Sequence, residues 1–255
     1  MCTVVLARRP QSPWPLLLAA NRDEMAHRPA LPPGRHWDDR PDVAGGLDVE
    51  AGGSWLALND SGVVAAVLNR RGTLGAEPGR RSRGELVLEA LEHADAEIAA
   101  EMLQGLDPAA WRPFNLVVAD ASTAWWLRHG GDGRIRVAAV PEGVSMLDAG
   151  ELNDPHSPRI ARYLQPFRAT VPELGPGAAA DDWTDIAHWS LWPGLLADRG
   201  TALADPRDAM CVVTGGPYGT RSSSLIALPR FAGERAVWLH AEGRPGEVPF
   251  EPVEL

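Results

Sequence analysis

The sequence contains no lysine, because all 24 residues counted as lysine or arginine are arginine. Three classes of enzyme depend on a lysine amine: P-loop nucleotide hydrolases, Schiff-base enzymes such as those that use pyridoxal phosphate, and protein kinases. The chain therefore belongs to none of these classes.

Cysteine is nearly as rare, with Cys2 and Cys211 as the two examples. They lack the C-x-x-C spacing of a zinc module, and two cysteines do not make a disulfide framework. The seven histidines include no pair four residues apart and no carboxylate-flanked metal signature. We therefore expect free thiols in a reducing compartment, with no metal site and no cofactor.

Long apolar runs are also missing. No run approaches the ~18 residues of a membrane span, and the longest one near the start is too short for a signal peptide. A formal net charge of -10 argues against a general affinity for nucleic acid or anionic lipid. We expect a cytoplasmic protein with no membrane span and no nucleic-acid partner. The sequence does not indicate the oligomeric state.

What is present is the composition of a globular protein, with 45% hydrophobic and 23% charged residues, which is enough to bury a full core. The apolar pattern predicts hairpins over residues 3–7 with 16–20, and 54–58 with 63–68. Further strands are predicted over 115–119, 124–127, 135–140, 211–214, 224–228 and 236–239. Residues 28–46 contain too much proline and glycine for a regular element. No linker divides the chain, so we expect a single domain over residues 1–255.

Helices are predicted between these blocks of strands. Apolar positions recur at helical spacing over residues 82–106, and Ser82 with Glu85 forms an S-x-x-E capping box at the start. A second helix is predicted over residues 157–164, and a third over 185–197 with a break near Pro193. Blocks of strand and helix in this order favour an α+β fold with mainly antiparallel sheets.

Cys2 is the most informative residue. A small residue after the initiator methionine favours removal of that methionine, which makes Cys2 the first residue of the mature chain. An α-amine has a pKa of about 7.7–8.0, and it lies within reach of its own thiol, whose ordinary pKa is about 8.5. The amine can then act as the general base for a cysteine nucleophile without any histidine. The alternative is that Cys2 is a small hydrophobic residue with no chemical role.

Four polar residues, Asn21, Arg22, Asp23 and Glu24, follow the second predicted strand. The hairpin brings this end back beside the start of the chain, where Asp23 can accept a hydrogen bond from the α-ammonium group. Alternation along an extended strand puts Asn21 and Asp23 on one face and Arg22 on the other. The alternative is a charged strand end that runs into a loop.

Several motifs occur in order along the chain: Cys2, the Asn-Arg-Asp-Glu run at 21–24, and residues 50–56, 69, 81–86 and 218–223. Together they resemble the NRDE family, relatives of Transport and Golgi organisation protein 2, over nearly the whole chain. This family is similar to N-terminal nucleophile hydrolases. The resemblance implies a four-layer αββα sandwich of two mainly antiparallel sheets between helices.

The resemblance also implies the roles of individual residues. By likeness to bile salt hydrolase and penicillin V acylase, Cys2 is the nucleophile, Asp23 orients the amine, and Arg22 and Arg221 flank the site. Two asparagines, Asn69 and Asn153, correspond to polar groups around the oxyanion. Other readings stay open: Asn69 can cap a turn, Asn153 can form an Asx turn, and Arg221 can either clamp a substrate carboxylate or pair with Asp23.

The sequence therefore predicts an enzyme that cleaves the carbon–nitrogen amide bond of an acylated small molecule through a Cys2 thioester. The alternative function is a binding or carrier protein for lipid or haem on the same fold. Three tryptophans, Trp183, Trp189 and Trp192, can roof an apolar substrate pocket, although core packing is the more frequent role of such residues.

Overall fold

The computed structural model describes residues 2–174, 179–200, 204–230 and 234–255. The described strands are β1 (Thr3–Arg8), β2 (Leu16–Met25), β3 (Ala30–Gly34), β4 (Val43–Asp48), β5 (Ser54–Asn59), β6 (Val64–Asn69), β7 (Phe114–Ala119), β8 (Ala124–His129), β9 (Ile135–Ala139), β10 (Gly143–Leu147), β11 (Tyr218–Leu228), β12 (Val237–Ala241) and β13 (Glu251–Pro252). The described α-helices are α1 (Gly84–Ala90), α2 (Ala96–Gln104), α3 (Pro158–Ala169) and α4 (Trp192–Ala197). Short 3-10 helices span Pro108–Ala110, Ala180–Thr184, Ile186–Trp189 and Pro206–Asp208.

The chain folds into two compact units. The first comprises the chain up to His27 together with Pro141–Glu254, and the second comprises Arg28–Val140. The expectation of a single domain over residues 1–255 stays a prediction.

The first unit contains a six-stranded antiparallel sheet in the order β10-β1-β2-β11-β12-β13. Alternate residues of its inner strands, such as Val5, Leu17 and Leu225, share one buried core with Ile160 and Phe167 of α3. One face of this sheet is therefore covered by helices, because alternate side chains of a strand point to the same side.

The second unit contains a seven-stranded antiparallel sheet in the order β3-β4-β5-β6-β7-β8-β9. Leu86 of α1 and Leu103 of α2 share a core with Ala65 and Leu116 of the sheet. At the start of α1, a Cβ on Gly53 would lie 2.5 Å from the carbonyl carbon of Gly84. The glycines of two sequence motifs therefore let helix and strand backbones approach each other closely.

The two predicted hairpins form as β1–β2 and β5–β6, and the mixed α+β class with two antiparallel sheets is confirmed. Strand β2 is longer than predicted: it continues to Met25, so the run at residues 21–24 lies inside the strand. All four residues of the run pair with β11, and Asn21 also pairs with Thr3 of β1.

Some predicted elements are wrong. The helix over residues 82–106 is two helices, because Asp95 is extended and its side chain caps α2 by accepting from the N–H groups of Glu97 and Ile98. The apolar spacing continues across this break in the sequence but burial does not follow it, because Ile98 and Met102 are exposed. One half of the predicted capping box is present, since Glu85 accepts from the backbone N–H of Ser82 at 3.0 Å, whereas the Ser82 hydroxyl accepts from the N–H of Gly84 instead of that of Glu85.

Three further boundaries differ from the prediction. The region 28–46 contains β3, whose prolines are tolerated because β3 is an edge strand, and the start of β4. Helix α3 runs past residue 164 and through Pro166, because Phe167 in its last turn is fully buried in the core. Residues 211–214 form an isolated bridge between Val213 and Gly219 instead of a strand, because Val212 donates its N–H to the side chain of Thr220.

The predicted break in the helix over residues 185–197 is present. A 3-10 helix ends at Trp189, and α4 begins at Trp192 with Pro193 in its first turn, where the missing N–H of proline is tolerated. No helix formed by the described residues is both long and apolar enough to cross a membrane.

Candidate active site around Cys2

Cys2 lies immediately before β1 and is half-buried. Its Sγ lies 3.6 Å from the backbone carbonyl oxygen of Asp23, to which the thiol can donate. Burial raises the pKa of the Cys2 thiol above its ordinary value, and the nearby Asp23 carboxylate raises it further. At neutral pH the sulfur is therefore a thiol, and a nucleophilic reaction requires a base to remove its proton.

Asp23 lies on β2 opposite Thr220 of β11. Its side chain is fully buried. One carboxylate oxygen, Oδ1, accepts from the Thr220 hydroxyl at 2.6 Å, and Oδ2 lies 3.3 Å from Nη1 of Arg159. The carboxylate that sequence reasoning placed beside Cys2 is thus held from two sides by groups distant in sequence.

Arg159 is a residue that sequence reasoning missed. It lies in the first turn of α3, and its side chain is almost completely buried. Besides Asp23, its guanidinium donates to the Thr3 hydroxyl and to the Arg207 carbonyl, each at 2.5 Å. The available signal was its position: Arg159 precedes the buried Tyr163 by four residues, so it falls on the apolar stripe of the helix.

The two arginines predicted to flank the site occupy adjacent strands. Arg22 is buried on β2, and Arg221 is half-buried on β11. The register shifts between Thr220 and Ser222, which pair with Asp23 and Arg22 respectively, so Arg221 is the extra residue of a β-bulge. Bulges change the direction of a side chain. Arg159, and not Arg221, forms the ion pair with Asp23.

Within the part of the chain that the structure describes, the guanidinium of Arg221 makes no hydrogen bond or ion pair. A half-buried cation in a bulge, next in sequence to the Thr220 that holds Asp23, is suited to bind an anionic group of a ligand.

Asn21 follows the predicted alternation. Its amide donates to the carbonyls of Leu196 and Met210 on the helix-covered side of the sheet, the same side on which Asp23 meets Arg159. Its side-chain oxygen accepts from the hydroxyl of Ser223 at 2.5 Å. Asn21 therefore joins β2 to the segments packed on it, and we assign it no chemical role.

The two predicted oxyanion residues lie in different units. Asn153 belongs to the first unit and has a left-handed backbone with φ 57°, a conformation that asparagine tolerates. Its amide accepts from the N–H of Met146 at 2.8 Å and donates to the hydroxyl of Ser145 at 3.1 Å, so it is anchored on β10 beside β1. Asn69 is the last residue of β6 in the second unit, opposite Phe114, and is half-buried.

Tyr218 is a second residue that sequence reasoning assigned no role. It begins β11, two residues before Thr220. Burial raises the pKa of its phenol strongly, and the charges of Asp23 and Cys2 raise it further. A neutral phenol therefore lies in the electrostatic environment of both groups. The signal was present, since Tyr218 belongs to the motif at residues 218–223.

A hydrogen-bonded chain of serine, histidine and glutamate lies further along the same sheet. The hydroxyl of Ser224 lies 3.0 Å from Nδ1 of His240, and Nε2 of that ring lies 3.0 Å from Glu242. Such contacts occur in hydrolase triads. Ser224, however, lies in an inner strand and is 2% exposed. We therefore assign this chain to support of the sheet.

The three tryptophans for which the sequence leaves open a pocket roof or core packing are core residues. Trp183, Trp189 and Trp192 are fully buried in the core of the first unit. The rings of Trp183 and Trp189 meet edge to face, with centroids 4.8 Å apart. Among the residues that the structure describes, no group of three or more His, Cys, Asp or Glu side chains is placed to hold a metal ion.

Comparison with known proteins finds relatives of one family. The family model for Transport and Golgi organisation 2 matches residues 1–232. The mouse Transport and Golgi organization 2 homolog is 31% identical over 226 residues, which are 83% of this chain and 81% of that protein. The human homolog is 31% identical over 228 residues, which again are 83% of this chain and 81% of that protein.

Solved structures with a similar fold are hydrolases by name. A Caenorhabditis elegans ortholog of N-acylethanolamine-hydrolyzing acid amidase has a TM-score of 0.60 and 11% identity, and the match covers 91% of this chain and 95% of that one. A variant of conjugated bile acid hydrolase from Clostridium perfringens has a TM-score of 0.56 and 12% identity, with coverage of 99% and 92%. The fold is therefore of the N-terminal nucleophile hydrolase type.

Proposed function

Because the chain belongs to the Transport and Golgi organisation 2 family and has this hydrolase fold, we propose that it is an N-terminal cysteine hydrolase. In this proposal it cleaves the carbon–nitrogen amide bond of an acylated small molecule. The observation that carries the proposal is the Cys2 sulfur 3.6 Å from the backbone of Asp23, whose buried carboxylate is held by Thr220 and Arg159.

The reaction begins after loss of Met1. The α-amine of Cys2 takes the thiol proton, and the thiolate adds to the carbonyl carbon of the amide. The carbon–nitrogen bond then breaks, and the ammonium gives its proton to the leaving nitrogen, which departs as an amine. The acyl group stays on Cys2 as a thioester. Water, deprotonated by the same amine, attacks this thioester, releases a carboxylic acid and restores the thiol.

The surrounding residues have distinct roles in this scheme. The negative charge of Asp23 stabilises the ammonium that forms when the thiol loses its proton. Arg22 and Arg221 bind a carboxylate of the substrate, for which an acylated amino acid is the favoured class. Asn153 is the proposed donor to the oxyanion of the tetrahedral intermediate, and the matching role of Asn69 stays a prediction from the sequence.

The first test concerns the nucleophile. The purified chain is incubated with a panel of acyl amides, and Cys2 is examined by mass spectrometry for an added acyl group. We expect loss of Met1, a thioester on Cys2, and no turnover in Cys2→Ala. Cys211→Ala is the matched control and should keep full activity, because Cys211 is fully buried. Turnover in Cys2→Ala would refute the proposal, whereas binding of an amide without turnover in the wild type would favour the carrier alternative.

The second test concerns the base. Because the chain contains no lysine, the α-amine is its one primary amine, and amine-directed labelling should modify one position. Labelling that amine should abolish turnover. Full activity in the labelled protein would contradict the role of the amine.

A further inference from the structure

Strand β9 forms one of the four edges of the two sheets, and it is the edge that the fold leaves open. A sheet edge presents unpaired backbone N–H and C=O groups, which folded proteins usually block. At the β10 edge, the N–H and C=O of Met146 are both bonded to Asn153. Prolines occupy positions 32 and 33 of β3, and the two-residue β13 ends at Pro252. Of the four edge strands that the structure describes, β9 alone has neither a proline nor a partner at its outer edge.

The backbone groups that β9 exposes follow from its ladder with β8. Val140 donates its backbone N–H to the carbonyl of Ala124 at 2.8 Å, and this pair continues the antiparallel register of the two strands. Hydrogen-bonded and non-hydrogen-bonded pairs alternate in such a ladder, so Ile135, Val137 and Ala139 turn their N–H and C=O groups away from β8. No residue in the described ranges makes a hydrogen bond to these outward groups. They are available to pair with another strand.

A groove of about 600 Å³ lies at this open edge. It is lined by residues 135–138 of β9 and by Gln104, Leu106 and Pro108, at the end of α2 and the start of the following 3-10 helix. Because four consecutive residues of the edge strand line it, the groove follows the strand. An added strand would lie about 4.8 Å from β9, so the groove has room for an extended segment.

The two faces of the β9 edge differ in chemistry, because alternate side chains of a strand point to opposite faces. Arg136 lies opposite Arg128 of β8, and its side chain is 44% exposed. Arg134, two positions earlier, also lines the groove and is exposed. On the other face, Ile135 and Val137 pack in the helix-covered core of the second unit. The edge is therefore basic on one face and apolar on the other.

We propose that β9 is the docking edge for an extended segment of a partner protein in which acidic and apolar residues alternate. The backbone of that segment pairs with the outward groups of β9 and extends the seven-stranded sheet. The pairings of this sheet are antiparallel, so the added strand runs antiparallel to β9. Its acidic side chains lie beside Arg134 and Arg136, and its apolar side chains lie beside Val137 and Leu106. The proposal is independent of amide hydrolysis at Cys2.

The charges decide the kind of partner. The ion pair between Arg136 and Asp132 is exposed on both sides, and such a pair contributes little to stability. A carboxylate of the partner can therefore replace Asp132 without a large loss. A second copy of this chain is a poorer occupant, because antiparallel pairing of two β9 strands with the same face uppermost would collect Arg134 and Arg136 of both copies on one face.

The first experiment measures the binding of synthetic peptides to the full-length chain by fluorescence anisotropy. The probe is an octapeptide of alternating glutamate and valine, and a second peptide has the same composition in two blocks. The block peptide cannot present carboxylates on one face and apolar groups on the other, so we expect it to bind about tenfold more weakly than the probe. Equal binding of the two peptides would show attraction by charge alone and would overturn the proposal.

Methylation of the peptide nitrogens tests the backbone pairing itself. In an antiparallel addition, the valines of the probe share a face with Val137 and direct their N–H groups to β9, whereas the N–H groups of the glutamates point away. N-methylation of the valines should therefore abolish binding, and N-methylation of the glutamates should preserve it. Equal affinity of the two methylated peptides would contradict docking at the edge.

Variants of the chain give the complementary test. Val137→Pro removes an outward N–H, and proline is tolerated at such a position of an edge strand. It should weaken binding of the probe about tenfold, while the urea midpoint of unfolding stays close to that of the wild type. Ala139→Pro takes its place if Val137→Pro does not fold. Unchanged affinity in the folded proline variant would overturn the proposal.

Charge reversal tests the basic face. Arg136→Glu should weaken binding of the glutamate probe about tenfold and favour an octapeptide of alternating lysine and valine. Arg35→Glu is the matched control, because Arg35 follows the blocked edge strand β3, is 36% exposed and pairs with Asp60. It should leave both affinities unchanged. Equal effects of the two reversals would reject a role for the arginines of the groove.

Two other occupants are outcomes of related measurements. Tighter binding of oligothymidylate than of the probe would overturn the proposal in favour of a nucleic acid. A dimer, detected by light scattering, that Val137→Pro dissociates would overturn it in favour of a second copy. None of these experiments requires turnover of an amide, so this proposal and the proposed function can fail separately.

Discussion

Replacement of Asn21 by leucine tests whether the first residue of the Asn-Arg-Asp-Glu run is structural. The Asn21 side chain is buried, with 1% exposure, and makes three hydrogen bonds. It donates to the carbonyls of Leu196 at 3.0 Å and Met210 at 2.8 Å, and it accepts from Ser223. Leucine has a similar volume, but its side chain can neither donate nor accept a hydrogen bond. Asn21→Leu therefore removes the hydrogen bonds without opening a large cavity.

The magnitude follows from these contacts. Each hydrogen bond contributes a net ~0.5–1.5 kcal/mol, and each buried partner left unsatisfied costs ~1–3 kcal/mol. Two carbonyls and one hydroxyl lose a partner in Asn21→Leu. We therefore expect the free energy of unfolding to fall by about 3–5 kcal/mol. Ser223→Ala removes one of the three bonds and should cost about 1 kcal/mol.

The assay is urea unfolding followed by circular dichroism, with thermal unfolding as a second measurement. The midpoint should fall while the slope of free energy against urea stays constant. The melting temperature should fall by about 10 °C, since 1 kcal/mol corresponds to ~2–4 °C in proteins of this size. The variant with both substitutions should lose less than the sum of the single losses, because the residues share a bond. A loss below about 1 kcal/mol for Asn21→Leu would refute the structural assignment.

Two other predictions concern pH and packing. Burial first, and the charge of Asp23 second, raise the pKa of Tyr218 in the folded protein. The phenol therefore stabilises the folded state fully below its unfolded pKa of ~10, and this stabilisation is lost as the pH rises above that value. Urea unfolding should therefore show that the free energy of unfolding falls less in Tyr218→Phe than in the wild type between about pH 9 and pH 11. Parallel curves of this free energy against pH would contradict the prediction. Gly53→Ala should cost about 1–3 kcal/mol in thermal unfolding, because its Cβ would meet the Gly84 backbone at 2.5 Å. The matched control is Gly194→Ala in α4, where an added Cβ would meet nothing within 4 Å; it should stabilise the protein by about 0.5–1 kcal/mol. Equal effects of the two substitutions would reject the packing argument.

Local patterns predicted the strands well where alternation and turn residues agreed. The β1–β2 hairpin was found because apolar runs flank a segment with three prolines, which cannot enter a ladder. The same reasoning failed for β3, since nothing local marks a strand as an edge strand that tolerates proline. It also failed at Asp95, because apolar residues on both sides of the break happen to continue one spacing.

The candidate site could likewise be predicted only where the pattern along a single strand decides it. Strand alternation was enough to place Asn21 and Asp23 together, and their contacts agree with it. The motif at 218–223 contained both Thr220 and Tyr218, but the bulge that displaces Arg221 depends on how β11 pairs with β2. A bulge is a property of two strands, so one strand's sequence does not reveal it.

The sequence by itself determined the chemical inventory: no lysine, a cysteine at position 2, and a carboxylate on the strand that returns beside it. Tertiary structure decided which groups compensate that carboxylate. Arg159 and Thr220 are 136 and 197 residues away from Asp23 along the chain. Hydrophobic spacing and turn residues report neighbours a few positions apart, whereas a buried charge is paired by whichever donors the packing of distant elements brings within about 3 Å.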